Sequence, residues 1–409
     1  MIGVRVRFRF IIAIVFLCNL LSCKKASKLT YMSGNKIGYN EHMISVIPTI
    51  EDLRPFDLTP YLDSVKYVKL ELTDNSLIGS IDKVVIFEER IYILDRKTRC
   101  LFVFDIDGNF ILKIDRVGQG PGDYTQLDFF DIDRVKRQIV LTDLMTYWVM
   151  RYDFDGKFLF RQEIPVWCYG VSVLPNYGIV LYADFRNNSN ILEQEYNLIY
   201  LDSAMNYKKA YFPYNSKDFD QRNKPALTLG RQFYTFDDHL HFSFPSGSIV
   251  YQVTGDSLIN KYQFDFGKDM LPVENPTNTV KFNEQLSKKK YTGFITTVME
   301  NEEILYFSML TGIASGFSYT VLYSKESKKM LSSFIFMIDK EFSVSFPLTG
   351  YDSWIVSEEN SFYLVKWKEN FPKERISSAH RFTNERLELA ESLTDEDNPV
   401  LMFMKLKPF

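Results

Sequence analysis

Cysteine and histidine are scarce in this 409-residue chain, which has four of each. So few cysteines cannot build a disulfide framework, so the fold must be stabilised by an apolar core. A zinc site needs three or four ligands, and the four histidines lie at positions 42, 239, 241 and 380. Any zinc site would therefore need carboxylates from distant parts of the chain. Glycine (19) and proline (15) are also few.

An excess of positive charge is absent as well. The chain has 48 Lys and Arg against 52 Asp and Glu, a formal net charge of −4. It offers no overall attraction for phosphates, so nucleic acid is not an expected partner. Apolar residues make up 46% and aromatic residues 16% of the chain, which excludes intrinsic disorder as its main state. The length predicts two or three domains unless the chain is built from repeats.

A long apolar run occurs only at the N-terminus. Arg5, Arg7 and Arg9 precede the run 10–21, which is too short to span a bilayer and is typical of a secretory signal. The following Leu20-Leu21-Ser22-Cys23 resembles the lipobox of bacterial lipoproteins. In those proteins the signal is cut before the cysteine, which is then acylated. The resemblance implies that Cys23 carries the lipid, and an ordinary signal with a coincidental cysteine is the alternative.

These features divide the chain into three parts. Residues 1–22 are predicted to be a signal peptide, 23–44 a polar lipid-anchored tether, and 45–409 the folded domain. Removing three arginines with the signal changes the net charge from −4 to −7. Besides Cys23, the mature chain keeps Cys100 and Cys168, for which two buried thiols are favoured over one bridge.

The domain contains an internal repeat. At an offset of 48 residues, six positions of one segment are identical to those of the next: Ile91, Asp95, Asp105, Asp107, Gly108 and Phe110 match Ile139, Asp143, Asp153, Asp155, Gly156 and Phe158. Each unit holds four short runs of β-branched and aromatic residues separated by turns, which is typical of a propeller blade. Six copies of 48 residues need 288 residues, and 81–372 supplies 292.

The predicted fold is therefore an all-β, six-bladed β-propeller with four-stranded antiparallel blades. The sixth copy is degraded and is expected to use strands at 353–356 and 361–367. A propeller closes its ring with a strand from one terminus, and either 67–72 or 401–407 fits this role. An amphipathic pattern predicts a short helix at 383–393.

Several segments resemble the six-bladed propeller lipoproteins of Bacteroidetes, which have an NHL-like blade pattern. They are the stretch 57–72, the segment 77–83, the Phe-Asp-Ile-Asp-Gly turn, the loop 117–124 and the ending 397–407. The resemblance implies an envelope-anchored propeller. It implies no established activity.

The glycine-rich loop Gly118-Gln-Gly120-Pro-Gly122-Asp-Tyr124 is the candidate binding site. Its spacing fits no phosphate-binding motif and Pro121 removes an N–H donor, so a tight passage between two blades is favoured. Tyr124 can still line the mouth of the central channel, so the loop is the predicted channel-mouth site.

Other candidates have simpler interpretations. Asp105 and Asp107 lack the remaining ligands of a calcium loop and are expected to cap a hairpin. His239 and His241 share a strand face and hold at most two metal positions, so a polar strand face is favoured. The tryptophans can stack on sugar rings, but core packing is favoured for each. The segment 312–316 only imitates a nucleophile elbow.

We therefore expect a binding or scaffold module for a glycan or a protein partner, acting as a monomer. No catalytic residue, metal ligand or cofactor is predicted. The alternative is a calcium-dependent propeller hydrolase or lyase at the channel mouth, whose ligands come from different blades and show no linear motif. Lys24 and Lys25 do not resemble an inner-membrane retention signal, which favours the outer membrane.

Overall fold

The structure is a computed structural model that describes residues 32–33, 37–39, 43–45, 54–218, 232–244, 247–255, 257–265, 292–311, 317–372, 375 and 380–409. The predicted signal peptide 1–22, the predicted lipidation residue Cys23 and the segment 312–316 lie outside these residues.

Five four-stranded antiparallel sheets follow one another along the chain, each with its strands in sequence order. The first sheet contains β6 (Lys83–Phe87), β7 (Arg90–Asp95), β8 (Cys100–Asp105) and β9 (Phe110–Ile114). The second contains β10 (Phe129–Asp133), β11 (Gln138–Asp143), β12 (Trp148–Tyr152) and β13 (Phe158–Glu163). The third contains β14 (Gly170–Leu174), β15 (Gly178–Tyr182), β16 (Glu195–Asp202) and β17 (Tyr207–Tyr214).

The fourth sheet contains β18 (Phe233–Phe236), β19 (His239–Ser243), β20 (Ile249–Val253) and β21 (Leu258–Asp265). The fifth contains β22 (Thr292–Glu300), β23 (Ile304–Thr311), β24 (Phe317–Ser324) and β25 (Met330–Ser333). The predicted propeller of four-stranded antiparallel blades is thus confirmed, and the 48-residue repeat corresponds to the first two sheets.

The next four-stranded sheet closes the ring with both termini. It contains β28 (Pro347–Tyr351), β29 (Trp354–Glu359), β30 (Val400–Leu406) and β5 (Leu62–Lys69), in that order. The C-terminal strand lies between two partners, with Leu401 opposite both Glu358 and Val68. Both candidate closing segments therefore contribute, residues 67–69 of the first and 401–406 of the second, because the C-terminal strand pairs on its two edges.

The predicted count of six blades is wrong, since the residues that the structure describes form seven sheets. The seventh consists of β26 (Phe336–Ile338), β27 (Phe342–Ser343) and β4 (Phe56–Asp57). Its strands have two or three residues, too short for a periodic apolar pattern, and one of them comes from the N-terminal segment.

The predicted strand at 361–367 is also wrong. Helix α1 (Ser361–Glu369) begins there because the Asn360 side chain accepts a hydrogen bond from Tyr363 N. Helix α2 (Arg381–Glu391) lies within two residues of the predicted 383–393. The two helices follow β29 and precede β30 in the chain, and they contact each other. Two short 3₁₀ turns lie at Thr59–Tyr61 and Ser216–Asp218.

Part of the predicted tether 23–44 pairs with the propeller. Strand β1 (Met32–Ser33) runs parallel to β17 at the edge of the third sheet. Strands β2 (Ile37–Tyr39) and β3 (Met43–Ser45) run parallel to β21 at the edge of the fourth. The segment therefore covers backbone groups on two outer edges that would otherwise be unpaired.

The core lies between neighbouring sheets. Tyr92 and Val103 of the first sheet pack in one cluster with Phe130 and Met150 of the second. Among the described residues, the ten largest fully buried side chains are all Phe or Tyr. The aromatic richness of the chain is thus used mainly to fill the space between sheets.

Candidate functional site

The first strands of the six four-stranded sheets line a central channel. Each supplies side chains to a cavity of about 130 Å³, including Val85, Asp131, Ser172, Tyr234, Val298 and Thr349. This volume leaves room for small groups only. Asp131 is nearly buried and accepts hydrogen bonds from Ser172 Oγ at 2.5 Å and from Val173 N at 2.9 Å, with Lys83 Nζ 4.0 Å away.

One end of the channel opens into a wider cavity of about 670 Å³. Its rim is formed by turns that join the first and second strands of the sheets. We call it the acidic mouth, after its six exposed acidic residues Glu88, Glu89, Asp237, Asp238, Glu302 and Asp352. Phe87, Phe236 and Tyr351 add aromatic rings to the same cavity.

The turn geometry holds these carboxylates at the rim. Glu88 and Glu89 adopt left-handed conformations with φ of 48° and 56°, and Asp237 and Asp238 do so with φ of 50° and 54°. Two-residue turns with both residues left-handed match the twist of antiparallel strands. Aspartate tolerates this conformation better than most residues, and it places the side chain outside the strand pairing.

Only part of this negative charge is neutralised. Arg137 pairs with Glu88, and Arg134 Nη1 lies 3.1 Å from Asp238 Oδ1. Within the described part of the chain, Glu89, Asp237, Glu302 and Asp352 have no ion pair. The acidic mouth therefore keeps a net negative charge.

A buried group of polar residues lies directly below the rim. Glu300, at the end of β22, is fully buried and lines both the channel and the mouth. Its Oε1 accepts from Lys261 Nζ at 2.6 Å and from Tyr234 OH at 3.1 Å. Its Oε2 lies 2.6 Å from Lys325 Nζ and accepts from Tyr262 OH at 2.9 Å. Each carboxylate oxygen of Glu300 therefore has two partners.

His241 and Phe236 complete this group. We call it the Glu300 cluster, and its other members are Tyr234, Lys261, Tyr262, Glu300 and Lys325. The His241 ring stacks on Tyr234 with centroids 4.7 Å apart, and its Nε2 lies 2.9 Å from Lys261 Nζ. Lys325 Nζ lies over the Phe236 ring, 3.9 Å from the ring centroid. The cluster joins three strands of the fourth sheet to the fifth.

The pKa shifts within the cluster favour an ionised Glu300 and a neutral His241. Burial alone would raise the pKa of Glu300, but Lys325 and Lys261 outweigh it and hold that pKa below the ordinary value. Burial, reinforced by Lys261, lowers the pKa of His241 to about 3, so this ring is neutral at pH 7. Burial lowers the pKa of Lys325, although Glu300 opposes the shift. A carboxylate held in this way ties two sheets together and has no free oxygen for proton transfer.

The predicted channel-mouth residues lie elsewhere. Gly118, Gly120, Gly122 and Tyr124 form the passage from the first sheet to the second, as the sequence favoured, and are not among the residues lining the channel or the acidic mouth. Tyr124 is buried in the core between these sheets, and its OH donates to backbone oxygens of Arg99 at 2.8 Å and Ile114 at 3.0 Å. Its predicted place at the channel mouth is therefore corrected.

Packing explains the glycines of this loop. A Cβ on Gly118 would lie 2.5 Å from Asp123 Oδ2, and one on Gly122 would lie 2.6 Å from the Phe158 ring. The Gly120 N–H donates to Asp123 Oδ2 at 2.8 Å. The loop is closed on its own aspartate, and ligand binding by its residues stays a prediction.

The hairpin interpretation of the paired aspartates is confirmed. Asp105 Oδ1 accepts from the N–H groups of Asp107 at 3.0 Å and Asn109 at 2.8 Å. Asp153 repeats the arrangement in the second sheet, and Asp202 in the third. Among the described residues, no three His, Cys, Asp or Glu side chains are grouped closely enough to hold a metal ion.

The two histidines on β19 have different environments. His241 is buried in the Glu300 cluster, whereas His239 is exposed. Cys100 and Cys168 are buried and unbridged, in agreement with the favoured thiol interpretation. Burial raises the pKa of the Cys168 thiol to about 12.

The four tryptophans also differ. Trp148, Trp354 and Trp367 are half-buried, while Trp167 is 53% exposed. The core interpretation therefore fails for Trp167.

Sequence reasoning missed the acidic mouth and the Glu300 cluster. Their members come from separate sheets, and none belongs to a linear motif. The Glu-Glu and Asp-Asp pairs between short β runs were the one available signal, because such pairs occupy two-residue turns.

The fold and site define a β-propeller with a polar central channel. The chain belongs to the family described as "Domain of unknown function (DUF4934)", which matches residues 42–405. No match was found among curated proteins.

Solved structures include similar folds. A putative exported protein from Bacteroides fragilis has a TM-score of 0.70 at 18% identity, over 90% of this chain and 100% of that chain. A DUF4221-family member from Bacteroides vulgatus has a TM-score of 0.47 at 10% identity, over 85% of this chain and 97% of that one. The similarity to the Bacteroides fragilis structure supports the propeller fold. No helix in the described ranges is long and apolar enough to cross a membrane.

Proposed function

We propose that this chain is a binding module of the cell envelope, anchored to the outer membrane by a lipid on Cys23, and that its acidic mouth receives a positively charged segment of a partner protein. The propeller fold supports a binding or scaffold role. The N-terminal signal and the lipobox-like Ser22-Cys23 support the anchor. The similar Bacteroides fragilis structure is that of a putative exported protein, in agreement with a place outside the cytoplasm.

The acidic mouth is the observation that carries the proposal. Four of its carboxylates have no ion pair among the described residues, and they surround one concave opening of about 670 Å³. Electrostatic attraction of a basic ligand is strongest where charges of one sign line such a cleft. Lysine or arginine side chains of a partner would replace the missing ion pairs.

A buried amide in the same cavity adds a second feature. Asn301 is 3% exposed and lines the mouth, and its Nδ2 has no hydrogen-bond partner within the described ranges. Its Oδ1 is occupied by the N–H groups of Glu303 and Ile304, which fixes the side chain. An unused buried donor is costly, and a backbone carbonyl oxygen of a bound peptide would satisfy it. Carboxylates and an amide donor together fit a basic peptide segment.

Calorimetric titration with an eight-residue oligolysine peptide tests this site. We expect binding that weakens as salt is added and that drops about two- to thirtyfold in the double variant Asp237→Asn/Asp352→Asn, since each of the two exposed ion pairs contributes about 0.2–1 kcal/mol. Asparagine also tolerates the left-handed turn positions, so the fold should persist. The matched control, Asp155→Asn/Asp395→Asn, changes the net charge equally at exposed sites elsewhere.

Equal affinities for the two double variants would contradict the proposed site, as would failure of the wild type to bind at low salt. The same titration distinguishes the alternative, a calcium-dependent hydrolase or lyase at the mouth. We expect the affinity to be unchanged between buffers containing EDTA and calcium. Stoichiometric calcium binding that is lost in Asp237→Asn/Asp352→Asn would favour the enzyme.

A further inference from the structure

A second cavity, of about 260 Å³, lies where three sheets meet. Its buried wall includes Tyr306, Thr320 and Leu322 of the fifth sheet, Phe336 of the seventh, and Ile355 and Met404 of the ring-closing sheet. We call it the apolar cavity, since none of the described residues that line it is charged. It shares no described lining residue with the central channel or the acidic mouth. It is therefore a separate feature of the fold.

The wall of the apolar cavity is part of the core. Five of its side chains belong to one cluster of buried residues: Tyr306, Leu322, Phe336, Ile355 and Met404. The Val344 N–H donates to Phe336 O at 2.9 Å, which fixes the segment beside the cavity to the seventh sheet. Protein interiors seldom contain spaces much larger than a water molecule. A space of about 260 Å³ bounded by core side chains is therefore large enough to be a ligand site.

The lining of the apolar cavity selects against polar ligands. Among its buried side chains in the described part of the chain, only Tyr306 and Thr320 carry polar atoms, and the Tyr306 hydroxyl lies 3.4 Å from Thr320 Oγ1. A bound water needs about two to four polar partners, and a buried ion needs an opposite charge. The group that fits this cavity is therefore uncharged and apolar.

The apolar cavity reaches solvent where β27 connects to β28. Ser343, Ser345 and Phe346 line it and are exposed, and Phe346 is 58% exposed. An amphiphilic ligand can enter end-on at this point. Because burial of an unpaired charge is costly, its head group would stay in water while its apolar part is buried.

The size and the wall of the cavity indicate an aliphatic chain. A cavity of about 150 Å³ lined by Leu, Ile and Phe binds benzene, so about 260 Å³ has room for about ten carbon atoms. Aliphatic side chains outnumber aromatic ones among the described lining residues, and Met404 adds a flexible side chain. A flat ring gains most from contact with aromatic faces. The wall therefore suits a flexible chain better than a ring.

We infer that the apolar cavity binds one acyl chain of about ten carbons, with the head group of the ligand at Ser343, Ser345 and Phe346. A free fatty acid or a lipid can supply such a chain. This site does not depend on the acidic mouth, so each can fail without the other.

Calorimetric titration with hexanoate, octanoate, decanoate and dodecanoate, each below its micellar concentration, tests the inference. We expect the affinity to increase about fourfold for each methylene added up to decanoate, because each one buries more apolar surface, and to level off at dodecanoate. The comparison ligand is 1-naphthoate, which has the same charge on a flat ring. It should bind about tenfold more weakly than decanoate, because the wall offers few ring faces.

A second titration distinguishes the two sources of the chain. Decanoate and decanoyl-lysophosphatidylcholine carry the same chain on different head groups. Tighter binding of decanoate supports a free fatty acid as the ligand, and tighter binding of the lysolipid supports a lipid.

Two substitutions should change the chain-length profile in opposite ways. Val344→Trp places a large ring at the half-buried edge of the cavity and should weaken decanoate binding about tenfold. Its matched control, Val135→Trp, adds the same ring at a residue that is 55% exposed elsewhere and should bind normally. Leu322→Ala enlarges the inner wall, so its affinity should continue to rise up to dodecanoate. A variant that merely unfolds cannot produce this extension.

The inference is wrong if the wild type does not bind decanoate at millimolar concentration, or if Val344→Trp binds it as tightly as the wild type. An affinity that rises without levelling off through dodecanoate in the wild type would indicate adsorption to the surface instead. Naphthoate bound as tightly as decanoate would overturn the acyl chain in favour of a flat ligand. The Asp237→Asn/Asp352→Asn variant should bind decanoate normally, which separates this site from the acidic mouth.

Discussion

Deleting residues 400–409 is expected to abolish cooperative folding. The deletion removes β30, the strand between β29 and β5, and leaves two sheet edges unpaired at the closure of the ring. It also removes six buried apolar side chains: Val400, Leu401, Met402, Phe403, Met404 and Leu406. At about 1.5–3 kcal/mol each, their loss is comparable with the whole stability of a typical protein, about 5–15 kcal/mol.

Urea unfolding followed by circular dichroism measures this effect. A chain lacking only Pro408 and Phe409 is the control, since it keeps the paired strand and should retain a sharp transition. A less severe variant, Met402→Ala, should stay folded and lose about 2–5 kcal/mol, as is typical of a cavity at a fully buried site. An unchanged transition in the chain without residues 400–409 would show that the ring does not close through this strand.

Glu300→Ala is expected to destabilise the protein by about 3–5 kcal/mol, the usual cost of removing one partner from a buried ion pair. The substitution leaves Lys261 and Lys325, which are 19% and 20% exposed, without their shared carboxylate. It also removes the acceptor of two tyrosine hydroxyls. The control is Glu303→Ala at an exposed position of the following turn, which should change stability by no more than about 0.5 kcal/mol.

The stability difference between the wild type and Glu300→Ala should depend on pH. The pKa of Glu300 is lower in the folded protein than its ordinary value of 4.5, so its contribution is fully present above pH 4.5 and is lost as the pH falls through the folded pKa. The gap between the two proteins should therefore narrow below pH 4.5. A gap that is constant down to pH 3 would contradict the buried ionised carboxylate.

Those two predictions concern features that the sequence reveals to different extents. The strand at the C-terminus was predicted because 401–407 alternates apolar and polar residues in part, and the repeats required a closing strand. The Glu300 cluster was not, because Glu300 lies on β22, Lys325 follows β24 and Lys261 lies on β21 of the neighbouring sheet, so these residues are far apart in the sequence. A carboxylate at the end of an apolar strand looks like an ordinary solvent-facing residue.

Local patterns misled in two places. The segment 361–367 is rich in aromatic and β-branched residues, which favour a strand, yet it forms a helix in which Tyr363 is 70% exposed and Leu364 is buried. Its helical period is obscured because apolar residues occur on both faces. The seventh sheet was missed because its strands are two or three residues long and because β4 lies before the first repeat.

The candidate functional surfaces also differ in how far the sequence reveals them. The glycine-rich loop 118–124 stood out in the sequence, but its glycines are explained by close packing against Asp123 and Phe158. Asp237 and Asp238 belong to no motif in the sequence, and only the ring shows that they share a mouth with Glu89 and Asp352. Trp167 was recognised as a residue type that stacks on sugars, but nothing in its local sequence distinguishes its 53% exposure from the half-burial of the other three tryptophans.

The proposed role requires that the propeller be held at a membrane, so fractionation of the full-length chain tests it most directly. Cells producing the wild type or Cys23→Ala are separated into membrane and soluble fractions, with Cys100→Ala as a control that alters a buried thiol instead. We expect the wild type and Cys100→Ala in the membrane fraction and Cys23→Ala in the soluble fraction or the medium. Unchanged membrane association of Cys23→Ala, or a wild type found only in the soluble fraction, would contradict the lipid anchor and the envelope role built on it.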